Sequence, residues 1–407
     1  MAVTPIYLDN LATTPVDPRV VEAMLPYFTE HFGNAASKTH GFGWKAAEAV
    51  DQSRSQVAAL LGAASPQEII FTSGGTEANN LALKGVAGYY RSKGTHIVTC
   101  ATEHKAVLDS CKTLEAQGYQ VTYLPVDGCG RVDIDQLRAA VSDQTILISV
   151  MAANNEIGTI QPLEEIGSFA KEHGVLWHCD AVQAVGKIPL NVQELGVDLL
   201  SLSAHKIYGP KGAGALYVRS RRPRVRLQAQ MDGGGHERGL RSGTLNVPGV
   251  VGLGKACELC QHKMEDEGQR LASLCQQLYK GLGQQLADVH LNGHQQERLP
   301  GALNLSFLGV NGAELLLALR EIALSAGSAC SSSGEPSHVL KAIGLEDDLV
   351  FASLRFGLGR FNTAAEIDYV IGRVVEEAKG LGAASSLARD SPGAKIGTEP
   401  LREVHST

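Results

Sequence analysis

At 407 residues, 44% of them hydrophobic, the chain is long enough for a large core and two domains. Its net charge of −7 is mild, and basic residues are scattered. Even Arg219-Ser220-Arg221-Arg222-Pro223-Arg224-Val225-Arg226 holds one short cluster, read as a solvated loop or strand edge, so nucleic-acid binding is not expected. No apolar run approaches a membrane span and no basic presequence leads the chain, which predicts a cytoplasmic protein without membrane contact. The eight cysteines are dispersed rather than spaced as a disulfide framework, which suits a reducing compartment.

In chain order, apolar runs at 69–72, 96–100, 121–124, 145–151, 176–180, 197–202 and 213–218 predict seven strands. Helical patterns at 77–91, 105–117 and 163–173 lie between them. Such alternation predicts an α/β domain with a mostly parallel seven-stranded sheet and right-handed crossovers. The last two runs are joined by a turn too short for a crossover, so one strand is expected to run antiparallel. From residue 247 a long helical stretch to about 286 leads into strand-like 289–291, 303–308 and 353–358, with helical 313–320, 337–343 and 364–379. This is the pattern of a small α+β domain. The expected division is 1–32 as a segment packing with the small domain, 33–246 as the large domain, 247–380 as linking helix and small domain, and 381–407 as a disordered tail rich in Gly, Ala, Ser and Pro.

Two strand ends carry the chemistry. The run ending at 202 is followed by Ser203-Ala204-His205-Lys206-Ile207-Tyr208-Gly209-Pro210, and α/β proteins bind ligands at such ends. A lysine kept dry there is a neutral amine able to form a Schiff base, although a lone lysine also suits a structural ion pair. The run 176–180 ends in Asp180, with Gln183 three residues on. In an enzyme using pyridoxal 5'-phosphate (PLP), an aspartate opposite the ring nitrogen keeps it protonated and the ring electron-poor, and Asp180 fits that role. Ser73-Gly74-Gly75-Thr76 stands between a strand and a helix, where backbone amides and hydroxyls suit a phosphate. Cys330 lies among Gly and Ser. Cys100 and Cys179 instead sit in apolar strands, and the lone CxxC of Cys257 and Cys260 lies in a predicted helix and reads as core packing, so no metal site is expected.

Seven ordered motifs run through the chain: Tyr7-Leu8-Asp9-Asn10 with Ala12-Thr13-Thr14, Phe71-Thr72-Ser73-Gly74-Gly75-Thr76-Glu77, Thr102-Glu103-His104-Lys105, Asn154-Asn155-Glu156-Ile157-Gly158, the Lys206 segment, Arg241-Ser242-Gly243-Thr244, and Ser325-Ala326-Gly327-Ser328-Ala329-Cys330. From Ile6 to about Lys379 the chain resembles the NifS/IscS-like cysteine desulfurases, PLP enzymes of the aminotransferase class V (type I) fold. The resemblance implies that PLP is held by Gly75, Thr76, His104, Asn155, Asp180, Gln183, Ser203, His205 and Lys206, with Thr244 reaching the phosphate in the neighbouring subunit of a homodimer. It implies L-cysteine bound by Asn155 and by the Arg355 guanidinium, whose fork suits a carboxylate. Catalysis would fall to Lys206, His104 and Cys330, converting cysteine to alanine with a persulfide on Cys330. The sulfur would pass to an acceptor protein such as an iron–sulfur scaffold, for iron–sulfur cluster or other sulfur-containing cofactor biosynthesis.

Two other readings stay open at this level: a different PLP-dependent lyase or aminotransferase of the same fold, and a PLP-binding scaffold without catalysis. Lys206 and Asp180 serve any PLP chemistry, whereas transamination has no use for the Cys330 thiol. The chain departs from the pattern at Asn34-Ala35-Ala36-Ser37, with alanine where many relatives have proline, and in a tail without an aromatic, acidic ending. The second departure leaves the sulfur acceptor open.

Overall fold

Strands buried on both faces read as unbroken apolar runs, and six of the seven strands of the main sheet are buried along nearly their whole length, the edge strand at 120–124 being the half-exposed exception. A computed structural model of the protein describes residues 5–221, 223–326 and 336–389, with side chains to residue 382. In chain order the strands are β1 (Ile6–Tyr7), β2 (Ile69–Thr72), β3 (His96–Cys100), β4 (Gln120–Leu124), β5 (Thr145–Ser149), β6 (Leu176–Asp180), β7 (Leu199–Ser203), β8 (Gly214–Val218), β9 (Val289–Leu291), β10 (Ala302–Phe307), β11 (Ile322–Ala323), β12 (Ser325–Ala326) and β13 (Ser353–Gly357). The large sheet has the order β2-β8-β7-β6-β5-β3-β4. Strands β3 to β7 pair in parallel, and β8 is the antiparallel strand, against both β2 and β7. Helices Gly75–Tyr90, Lys105–Ala116 and Leu163–His173 are among its connections.

The strand predicted at 145–151 ends at Ser149, although the Val150 and Ala152 amides still donate to the His178 and Asp180 carbonyls of β6. The Met151 amide is taken instead by the Glu103 carboxylate, at 2.6 Å. A polar thread crosses the sheet beneath its carboxyl edge: His178 of β6 is wholly buried, with Nδ1 on Ser149 Oγ at 2.9 Å and Nε2 on Ser201 Oγ at 3.0 Å. Burial pushes the His178 pKa down to about 3, so the ring is neutral.

A second sheet has the order β12-β13-β10-β9 and is antiparallel throughout. The N-terminal segment joins this unit, since β1 pairs with β11 and Asp9 bridges Gly357. Helix Val247–Gly283 links the two units. At 37 residues it spans roughly 55 Å. Its first half puts Val250, Leu253, Cys257 and Cys260 into the core under the large sheet, and its second half puts Leu271, Leu274, Leu278 and Leu282 against Leu305, Phe356 and Val374 in the other. The CxxC is therefore core, and burial pushes the Cys260 thiol up to about 11. The last helix runs from Ala364 to Arg389.

Candidate active site

The ends of β6 and β7, the starts of helices Gly75–Tyr90 and Lys105–Ala116, and β13 of the small unit converge on a cleft of about 400 Å³. Its walls hold Gly75, Thr76, His104, Asn155 and Asp180, together with Gln183, Ser203, His205, Lys206 and Arg355. Thr244 is exposed and does not line the cleft. Cys330 lies outside the described residues.

Lys206 closes the single 3₁₀ turn Ala204–Lys206 that follows β7. Its Nζ donates to the carbonyls of Leu11 at 2.6 Å and Ala12 at 2.7 Å. The N-terminal segment also clamps the turn itself: the Thr14 amide donates to the His205 carbonyl at 2.9 Å, and the Asp17 amide to the Tyr208 carbonyl at 2.9 Å. Tyr208 has φ 65°, a conformation that costs a non-glycine residue roughly 1–2 kcal/mol. The Arg360 amide donates to its hydroxyl at 2.6 Å, and the Arg360 guanidinium lies 4.0 Å from its ring centre, which holds the strained residue in place.

Asp180 ends β6 and is buried. Its carboxylate accepts from Asn79 Nδ2 at 2.6 Å and from the Val182 amide at 3.0 Å. His104 caps helix Lys105–Ala116, Nδ1 accepting from the Ala106 amide at 3.1 Å. Burial lowers its pKa most, Asp180 pulls it back up and Lys206 pushes it down; the net shift is downward. The ring is thus neutral at pH 7 with its proton on Nε2. His205 bonds Thr13 Oγ1 through Nδ1 at 3.1 Å, and burial, then the Lys206 charge, push it down to about 4.

Gly74 caps helix Gly75–Tyr90 without a side chain, which leaves first-turn amides for a ligand. Two glycines make the turn fit. A Cβ at Gly75 would lie 2.5 Å from Val182 Cγ2, and one at Gly214 would lie 2.6 Å from the Gly74 Cα. Across the cleft, Arg355 of β13 is buried, its Nη2 on Asp9 Oδ1 at 2.9 Å and its Nη1 on the Asn155 carbonyl at 3.1 Å.

Sequence reasoning missed three contributors. Asn79 lies four residues after Gly75 on the same helix face, a spacing that could have revealed it. The Leu11 carbonyl accepts from both Gln183 Nε2, at 2.8 Å, and Lys206, but a backbone acceptor leaves no mark in the residue pattern. Lys187 donates to Gln183 Oε1 at 2.9 Å, and burial, then the Lys206 charge, push its amine down to about 7. Gly186 before it has φ 71°, and a Cβ there would meet the Cys260 sulfur at 2.7 Å.

The aminotransferase class-V family matches residues 6–370. Over 90% of its length the chain is 59% identical to the "Cysteine desulfurase IscS" of Anaeromyxobacter dehalogenans (strain 2CP-C), covering 91% of that protein. The chain belongs with the cysteine desulfurases of the aminotransferase class-V family. Among solved structures it superposes on a "NIFS-LIKE PROTEIN" with a TM-score of 0.86 at 39% identity, over 92% of this chain and all of that one. A structure titled "SspA in complex with cysteine" gives 0.78 at 38% identity, over 88% of this chain and all of that one.

The family is PLP-dependent, and the cleft fits the group. It brings together an amine at a strand end, a buried carboxylate and an uncapped helix start. Two buried polar atoms of its lining residues, Asn79 Oδ1 and Arg355 Nε, have no partner among the described residues.

Proposed function

We propose that this chain takes sulfur from free L-cysteine, releases L-alanine, holds the sulfur as a persulfide on Cys330 and passes it to an acceptor protein for iron–sulfur or other sulfur-containing cofactor biosynthesis. The observation that carries this reading is the meeting of Lys206, Asp180, His104 and Arg355 in one cleft, and described residues on either side of the Cys330 segment bond to its lining or to neighbours of its lining. On one side Ser325 of β12 pairs with Arg355, and its hydroxyl donates to Asp9 at 2.8 Å. On the other, the Ser337 hydroxyl donates to Glu156, the neighbour of Asn155. From Ala326 to Cys330 is four residues, a reach of at most about 14 Å.

Gly75, Thr76, Ser203 and His205 would hold the PLP phosphate, Asp180 its ring nitrogen, Gln183 its ring oxygen and Lys206 its carbonyl carbon. PLP, when bound, supplies an electron-accepting ring that stabilises negative charge at the substrate Cα. Arg355 and Asn155 orient the substrate, the guanidinium taking its carboxylate. Lys206 Nζ takes the Cα proton, and His104, protonated on Nε2, shares the proton traffic between substrate and thiol. The Cys330 thiolate attacks the substrate sulfur: an S–S bond forms as the C–S bond breaks, and the electron pair goes to the substrate carbon, which gains a proton. Cysteine plus enzyme thiol gives alanine plus enzyme persulfide, with no outside oxidant.

A cytoplasmic homodimer is part of this proposal. Thr244 is exposed, as a residue serving a second copy must be, and no helix among the described residues is long and apolar enough to cross a membrane. The test is to incubate the purified protein with L-cysteine and a reductant. Equimolar alanine and sulfide are expected; a keto acid product, or no turnover at all, would overturn the reading.

A further inference from the structure

Loop 231–244 is tied at two points to the unit formed by β2 and helix Gly75–Tyr90. β2 is an edge strand, and its outward groups are met by side chains. The Phe71 amide donates to Glu237 Oε2 at 2.7 Å, while the Ile69 carbonyl accepts from Arg54 at 2.7 Å and from Arg238 at 3.0 Å. Arg54 grips the buried Glu237 carboxylate through two bonds of 2.7 Å. This anchor holds Glu237 and Arg238 at φ 47° and 57°, where side-chain-bearing residues are strained.

Three residues on, Arg241 Nε donates to Glu77 Oε1 at 2.7 Å and Nη2 to Glu77 Oε2 at 3.3 Å. Glu77 is the third residue of helix Gly75–Tyr90, and its Oε2 reaches back to accept from the Ser73 amide at 2.8 Å. An acidic side chain thus orders the turn that faces the cleft. Burial works against its ionisation, but the hydrogen bonds from Arg241 and Ser73 outweigh it and hold the Glu77 carboxyl below its ordinary range. A phosphate monoester brings about −1.5 to −2 charges to such a turn at pH 7, next to a carboxylate already there.

We propose that Arg241 is a positioning residue for the cofactor phosphate: by pairing with Glu77 it lets that carboxylate order the Ser73-Gly74-Gly75-Thr76 turn without repelling the phosphate. This rests on the reading that the turn holds the PLP phosphate. The pair is only partly exposed, Arg241 by 18% and Glu77 by 19%, so solvent screens it incompletely.

The test compares equilibrium binding of PLP and of pyridoxal, which lacks the phosphate, to apoprotein, with thermal unfolding as the control for folding. Arg241→Met is expected to weaken PLP binding roughly tenfold while changing pyridoxal binding less than about twofold. Glu77→Gln, which keeps an acceptor for the Ser73 amide, is expected to bind PLP at least as tightly as the parent, and the double variant to regain most of the loss. An equal loss for both ligands, or a double variant as weak as Arg241→Met, would overturn the proposal. Should Arg241→Met not fold, Arg241→Lys should preserve the ratio of the two affinities and Glu77→Gln should raise it; a ratio that falls in both overturns it. A parent protein that binds the two ligands alike would overturn the phosphate reading itself.

Discussion

Acidification to pH 4 is expected to cost the large sheet about 3 kcal/mol through one residue, His178. The unfolded chain binds a proton on this ring below about pH 6.5, whereas the folded protein, with the ring buried between Ser149 and Ser201, does so only near pH 3. Between those values the unfolded state holds more protons. Stability is therefore full above pH 6.5 and falls as the pH drops, by about 1.4 kcal/mol per unit. His178→Gln removes the titrating group. Its shorter reach to one of the two serines is expected to cost about 1–2 kcal/mol at pH 7. At pH 4 the order should reverse, with the variant more stable than the parent by roughly 1–2 kcal/mol. Urea unfolding at the two pH values measures both differences. Other groups with shifted pKa values, such as Asp198, which burial raises to about 6, titrate in both proteins and cancel. A variant less stable by the same amount at both pH values would refute the argument. Because Asp180 stands two residues along the same strand, the active site should fail with the sheet.

Gly214→Ala places a Cβ 2.6 Å from the Gly74 Cα and 2.8 Å from the Leu202 carbonyl oxygen, both rigid backbone, so the phosphate turn must shift. We expect PLP retention on dialysis to fall about tenfold or more, at a stability cost of about 1–3 kcal/mol; unaltered retention would place the phosphate elsewhere. Arg355→Ala removes the proposed carboxylate partner and leaves Asp9 without its guanidinium. The KM for cysteine should rise roughly 10- to 100-fold in steady-state assays, with a smaller change in kcat, and an unchanged KM would remove Arg355 from the substrate site.

Most strands of the large sheet were legible because they are buried nearly throughout and read as apolar runs, and Asp180 and Lys206 were legible because one closes such a run and the other follows one within three residues. The two-residue strands β11 and β12 were not, since no periodicity exists over two positions. The clamp on Lys206 was also hidden, being made of Leu11 and Ala12 carbonyls, chemistry that every residue shares. Lys187 reads as an ordinary surface lysine until the turn at Gly186, itself close against Cys260, leads it to Gln183. The strained Glu237–Arg238 turn escaped notice for a related reason. A run of glycines announces a bend, but only the fold brings Arg54 across to hold its carboxylate.

The claim that this enzyme moves sulfur through Cys330 is tested most directly by following the sulfur itself. Cys330→Ser exchanges a nucleophilic thiol for a hydroxyl that stays protonated at neutral pH. Incubation with cysteine labelled with radioactive sulfur, followed by peptide mapping, should place the label on the Cys330 peptide of the parent. The variant should keep its PLP yet form neither labelled protein nor alanine. Label on Cys257 or Cys260 instead, with normal alanine production in Cys330→Ser, would contradict the account.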